Sequence, residues 1–240
     1  MTTSVFLDFV RLVVSGNIDQ VSRHLARHPH LAVTSSEVGA TRQESSSFFF
    51  ADIAHYLYAG DTALHMAAAA FRCRVAELLV AHGADCRAKN RRGAEPLHYA
   101  ADANHRDPMA QAETLSYLMS IGADPNAVDS AGVAPLHRAV RTRSLAAVRA
   151  LLDGGANSRQ PNTAGSTPLH LAVQPTGRGG SGSSEAREQQ AGIIRLLLER
   201  GARMTDQDRQ GKEVHQAATS DWIRDLLMNE SARCLGRLRP

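Results

Sequence analysis

A six-residue phrase recurs four times along this chain, as GDTALH at 60–65, GAEPLH at 93–98, GVAPLH at 132–137 and GSTPLH at 165–170. Each copy is followed by an apolar stretch and a second glycine: Gly83, Gly122, Gly155 and Gly201. From that glycine to the glycine opening the next unit the step is ten residues every time, the last reaching Gly211. From the histidine to the second glycine the step varies, at 18, 24, 18 and 31 residues, so the second and fourth units carry insertions between their two halves. Repetition at this period points to a row of like supersecondary units that share one core, in place of a closed sheet or a compact globular core.

The residues of one unit specify two helices. Pro96, Pro135 and Pro168 stand where a helix begins, since the ring fixes φ and the missing amide would have had no partner there. Thr62 and Thr167 precede that turn as N-caps; Glu95 and Ala134 hold the same place, and the alanine should cap less well by about 1 kcal/mol. The second helix carries Val75, Leu78 and Leu79; Leu115, Leu118 and Met119; Val148, Leu151 and Leu152; Ile194, Leu197 and Leu198. Each trio is spaced i, i+3, i+4 and so lies on one face. The glycine that follows closes the helix in left-handed conformation.

This pattern resembles the ankyrin-repeat family, whose unit of about 33 residues has a T-P-L-H-x-A signature and folds as a β-turn and two antiparallel helices. The resemblance covers most of residues 60–230 and implies an all-α ankyrin-repeat solenoid of about six repeats, counting degenerate caps. On this frame residues 1–230 form one domain. Residues 5–33 make an N-terminal cap repeat and 34–58 an insertion; 59–91, 92–130, 131–163 and 164–209 are full repeats; 210–230 are a closing cap. A basic tail, 231–240, is expected to fray. His215 falls four residues after Gly211 where the other units have five, which leaves the register of the closing repeat open. Its helix, TSDWIRDLL, is expected to turn Trp222, Leu226 and Leu227 inward.

The resemblance also implies roles for single residues. His65, His98, His137 and His170 bond the backbone and the threonine hydroxyl of their own motif, with Thr62 and Thr167 as partners. Asn126 matches the hairpin asparagine whose side chain braces the turn. The family's recognition surface is a concave groove of first-helix positions and hairpin tips. By register the groove positions are Met66, Ala69 and Ala70; Tyr99, Asp102 and Ala103; Arg138, Arg141 and Thr142; Leu171 and Gln174. The tips are 89–92, 128–131, 159–163 and 207–210, among them Lys89, Arg91, Arg92, Asp129, Asn162 and Arg209. Tyr99 with Arg138 and Arg141, near Arg91 and Arg92, is the expected centre, because tyrosine and arginine dominate interface hot spots.

Other functions find less in the residues. The net charge of +3 is small for 240 residues, and the basic side chains are dispersed among acidic ones, so nucleic-acid binding is not implied. No apolar run reaches the roughly 18 residues of a membrane span. Three cysteines, Cys73, Cys86 and Cys234, form no CxxC pair, and a reducing, cytoplasmic setting is expected. No phosphate-loop, nucleophile-elbow or HExxH motif occurs, and the glycine-rich TGRGGSGSS at 176–184 reads as a flexible insertion. His24 and His28, at i, i+4 with His30 beyond, could begin a zinc site for a metal-dependent hydrolase, but no cysteine or carboxylate is placed to complete the shell. No catalytic residue, cofactor or metal is therefore assigned. The expected function is a monomeric, non-catalytic module that binds a protein or peptide.

One segment stands apart. SSSFFFADIAHYLYAG, at 45–60, holds Phe48, Phe49, Phe50, Tyr56 and Tyr58, in a chain with only six phenylalanines, four tyrosines and one tryptophan. Ile53, Tyr56 and Leu57 would share a helical face, so the segment is expected to be an elaborated hairpin packed over the first full repeat, the alternative being an exposed docking patch.

Overall fold

The computed structural model describes residues 3–102, 107–175 and 183–236. Helices come in antiparallel pairs: α1 (Thr3–Ser15) with α2 (Ile18–Arg27), α3 (Ala63–Ala69) with α4 (Cys73–Ala81), and α5 (Pro96–Ala101) with α6 (Pro108–Ser120). They continue with α7 (Pro135–Arg141) and α8 (Leu145–Asp153), α9 (Pro168–Ala172) and α10 (Ser184–Glu199), then α11 (Val214–Ala217) and α12 (Asp221–Gly236). First helices stack on first helices and second on second, α3 on α5 on α7 on α9 and α4 on α6 on α8 on α10. The fold is an all-α solenoid. Its apolar core runs unbroken from Phe6 in α1 to Leu227 in α12.

The trios of the second helices supply that core. Val75, Leu79, Leu115, Leu118, Val148, Leu151, Ile194 and Leu197 are buried, while Leu78, Met119 and Leu198 are half-buried at the rim. No repeat could keep these side chains dry alone; the neighbour's helices complete the cover. The insertions partly become helix: α6 has 13 residues and α10 has 16, against 9 in α4 and α8. Repeats without an insertion turn tightly instead, with Phe71 and Arg143 both at positive φ. The insertion's glycine-rich stretch 176–182 lies outside the described residues.

The C-terminal end departs from expectation twice. Helix α12 runs to Gly236, past the point where a frayed tail was expected to begin. Ile223, Leu226 and Leu227 are its buried face, and Trp222 is only half-buried, beside Arg187 and Arg195 in a shallow groove between α10 and α12. Among the described residues no helix is long and apolar enough to cross a membrane.

Candidate interaction surface

The recurring histidine does more than close its own turn. In the first repeat the Thr62 amide donates to His65 Nδ1 at 3.1 Å, so that nitrogen is bare and the ring proton sits on Nε2. Nε2 then donates to the Ala94 carbonyl of the next repeat, also at 3.1 Å. The same two bonds recur at His98 (to Val133 O), His137 (to Ser166 O) and His170 (to Lys212 O). Each histidine therefore rivets its repeat to the carbonyl just after the opening glycine of the following one. Burial holds His65, His98 and His137 below the ordinary imidazole range, His98 at about 4.

The threonine hydroxyls were expected to accept a backbone amide. They instead make the other expected bond, to the ring, Thr62 Oγ1 to His65 Nδ1 and Thr167 Oγ1 to His170 Nδ1, both at 2.9 Å. Repeats lacking the threonine keep the backbone half of the cap, since the Glu95 and Ala134 amides reach His98 and His137 at 3.1 Å. Glu95 fits poorly. Its Oε1 lies 3.8 Å from Lys89 Nζ, its Oε2 is buried without a hydrogen bond, and burial raises its carboxyl above the usual range. In the closing repeat Gln216 stands where the others have histidine, accepting the Glu213 amide through Oε1 at 3.0 Å; His215 is exposed, and the register is unbroken.

The hairpin tips are set by a second repeated device. Asn90, Asp129, Asn162 and Asp208 each accept, through Oδ1, the amides two and four residues ahead. Backbone bonds then link tip to tip, Ser130 to Arg92, Thr163 to Ala131 and Arg209 to Ala164. Asn126 braces across repeats, donating to Gly155 O at 3.1 Å and accepting the Asn157 amide at 2.7 Å. The result is a rigid edge along which Lys89, Arg91, Arg92 and Arg209 are exposed, with Asp129 and Asn162 half-buried in their loops.

The concave face is less open than the register implies. Met66, Ala69 and Ala70 are buried, and so is Tyr99, at 2 % exposure. These positions are corrected from contacts to core, and over Tyr99 the cover comes from the 34–58 segment. The Tyr99 ring meets His55 at 4.6 Å and His65 edge-on at 5.0 Å between centroids. Its hydroxyl donates to buried Asp61, which also accepts the Asn90 amide group and the Tyr58 backbone amide. Ala103 lies outside the described residues.

Beyond Tyr99 the face is polar. Arg138 donates to Asp129 at 2.8 Å and to Asp102 at 3.2 Å, and Arg141 joins Asp102 from the other side at 3.1 Å. Burial pulls the Asp129 carboxyl upward, but the Arg138 guanidinium and the amides of Val133 and Ala131 outweigh it, holding the group below its ordinary range. Arg138 is thereby fixed at 11 % side-chain exposure, whereas Arg141 stands out at 63 %. Thr142 and Leu171 are half-buried and Gln174 is exposed.

The 34–58 segment is the expected hairpin packed over the first full repeat, built on paired strands in place of a shared helical face. Strand β1 (Phe49–Phe50) pairs antiparallel with β2 (His55–Tyr56), Phe49 opposite Tyr56. Ile53 and Leu57 plug into the core, and Phe48, Phe50 and Tyr58 pack partly against it. The segment is tied to the first repeat by Ser36, whose amide donates to Asp61 O and whose carbonyl accepts the Gly60 amide, both at 2.7 Å. Phe49 remains 42 % exposed, its ring 4.8 Å from Tyr56.

Sequence reasoning missed a set of residues that close the first helices of the repeats. Arg72 caps α1 at Val14 O, Gln111 caps α5 at Ala100 O, and Gln190 caps α9 at Ala172 O. Arg143 also donates to Ala172 O and Gln174 O. These satisfy carbonyls in the last turn of α1, α5 and α9, which have no partner further along their own helix. The acceptors are carbonyls of neighbouring helices, so no local signal in the sequence marks these residues.

A metal reading of the N-terminal histidines gains nothing from the geometry. His28 and His30 are 5.9 Å apart between ring centroids, and His24 faces Phe9. Among the described residues no three His, Cys, Asp or Glu side chains gather as a metal would require.

Stacked helix pairs riveted through a histidine, with hairpins aligned along one edge, define a repeat solenoid built to present a surface. The chain belongs to the ankyrin-repeat family: the family model for ankyrin repeats (3 copies) matches residues 44–109 and 108–208. It is similar to ankyrin repeat and SOCS box protein 6 of Pongo abelii and of Homo sapiens, 31 % identical to each over 144 residues, 57 % of this chain and 32 % of the relative. The chain thus matches about a third of the length of those curated relatives.

Proposed function

We propose that this chain is a non-catalytic module that binds a protein partner through the open part of its concave face, from Asp102 and Arg141 to Gln174, together with the hairpin tips. One observation carries the reading: Arg141 projects into solvent at 63 % exposure while Asp102 fixes its guanidinium, over a base locked by Arg138 and Asp129. A charge held in place before binding loses little freedom on association, so its contacts count nearly in full. The family is one of interaction modules, and the rigid edge supports recognition without rearrangement.

The reading extends to a monomer in a reducing, cytoplasmic setting. Cys73 and Cys86 are free, and burial pushes the Cys73 thiol up to about 11, which suits an inert core residue.

The test is affinity capture with purified chain, comparing wild type with Arg141→Ala/Gln174→Ala, followed by titration of the captured partner. Both side chains are exposed and their removal should leave the melting temperature unchanged while weakening the partner at least about tenfold. A partner retained at full affinity by this double variant would refute the groove.

A further inference from the structure

The exposed aromatic side of the 34–58 hairpin does not end at the hairpin. Phe49 and Tyr56 lie 4.8 Å apart between centroids, and Tyr56 and Tyr58 lie 6.3 Å apart. The Tyr58 ring in turn carries two guanidinium groups from the first hairpin tip, Arg92 at 4.4 Å and Arg91 at 5.7 Å from its centroid. Three rings and two arginines thus form one unbroken strip from an inserted segment onto the repeat frame. Both ends of the strip face solvent: Phe49 is 42 % exposed, and Arg91 and Arg92 are both exposed.

We propose that this aromatic-arginine strip binds an extended acidic segment of a partner protein, one whose carboxylates meet Arg91 and Arg92 and whose apolar side chain lies on Phe49 and Tyr56. The two arginines take part in none of the ion pairs among the described residues. Arg91 spends one N–H on the Ala40 carbonyl at 2.7 Å, which anchors the group of an otherwise exposed side chain. Both guanidinium groups lie within cation–π reach of the Tyr58 ring, and an arginine placed so can still pair bidentately with a carboxylate. Charge complementarity therefore selects an acidic ligand, and the neighbouring rings select one with an apolar or aromatic residue beside the acids. The strip adjoins the edge of hairpin tips, since the Arg92 carbonyl accepts the Ser130 amide of the next tip. The proposal rests on the reading of the chain as a binding module but places the anchor outside the concave face.

The experiment is selection of short random peptides displayed on phage against the full chain, followed by titration of the enriched peptides as free, fluorescently labelled molecules. The expected result is enrichment of Asp and Glu interspersed with Phe, Tyr, Leu or Pro, with affinity falling at least about tenfold for Arg91→Ala/Arg92→Ala and for Phe49→Ser/Tyr56→Ser. Unchanged melting temperatures guard against misfolding, and the single variant Phe49→Ser, at a half-exposed site, repeats the test if the double variant melts early. Enrichment without acidic residues, or acidic peptides indifferent to both double variants, would overturn the proposal. Peptides lost on Arg141→Ala but kept by the strip variants would do the same while upholding the groove. Equal competition by an RNA oligomer or by vesicles of anionic phospholipid would show charge attraction in place of peptide recognition, and would also overturn it.

Discussion

The hydroxyl of Tyr99 stands 2.8 and 2.9 Å from the two carboxylate oxygens of Asp61, both residues buried and 38 positions apart. This bond joins the opening turn of the first full repeat to the first helix of the second, beneath the inserted hairpin. A carboxylate in that place is tolerable because Tyr99, Asn90 and the Tyr58 amide all donate to it.

Tyr99→Phe should therefore cost about 1.5–3 kcal/mol of stability, the range for a bond to a charged group. Partner affinity should stay at the wild-type level, since no part of Tyr99 is offered to solvent. Chemical unfolding and titration of the captured partner check the two halves, and a stable variant with lost binding would contradict the placement.

The buried histidines should make the chain acid-sensitive in a defined window. Their folded pKa values lie below the ordinary 6.5, so the unfolded chain binds protons first; the contribution is full above pH 6.5 and is lost as pH falls. For His98, held at about 4, the loss between pH 6.5 and 4 is about 3 kcal/mol. Urea midpoints across that range should fall steeply with acid. His98→Gln, which copies the native Gln216 cap, should flatten the slope.

Glu95→Thr should raise stability by about 1 kcal/mol, for it removes a buried carboxyl oxygen without a partner and lets a hydroxyl meet His98 as Thr62 and Thr167 meet theirs. Glu95 also works against the histidines: with its pKa raised, its contribution is present at low pH and lost as pH rises above 4.5. A rise in melting temperature of roughly 2–4 °C at neutral pH, shrinking toward pH 4, is the expected signature.

Two glycines with similar backbones should respond differently to alanine. Gly201 has φ +91 and open space around it, so Gly201→Ala meets only the left-handed penalty, about 1–2 kcal/mol. Gly165 has φ +79, and a Cβ there would run into the backbone amide of Arg209 in the next hairpin; Gly165→Ala should cost more than about 3 kcal/mol. Equal losses in thermal unfolding would show that the tips are not packed as described.

What the sequence discloses is whatever repeats. The spacing of Gly60, Gly93, Gly132, Gly165 and Gly211 and the apolar trios define the stack, because every repeat must solve the same packing problem. The singular parts stayed hidden for the same reason. Tyr99 has the register of a groove residue, and only the fold of 34–58 brings His55 onto its ring. Arg138 and Arg141 read alike in the sequence, yet Asp129 and Asp102 enclose the first and leave the second outside. Gln111 and Gln190 show no local sign that they cap α5 and α9, since their acceptors are carbonyls reached only once the helices stack.

The histidine rivets point one way. Each donor lies in one repeat and each acceptor in its successor, from His65 to Ala94 through His170 to Lys212. Trimming the chain from its front removes a donor and leaves a carbonyl, whose lone pairs tolerate a missing partner; trimming from the back strands a buried N–H, which does not. The two ends of the stack are thus unequal as places to shorten or extend it, and evolution or a protein engineer adding a unit would find the front the more forgiving.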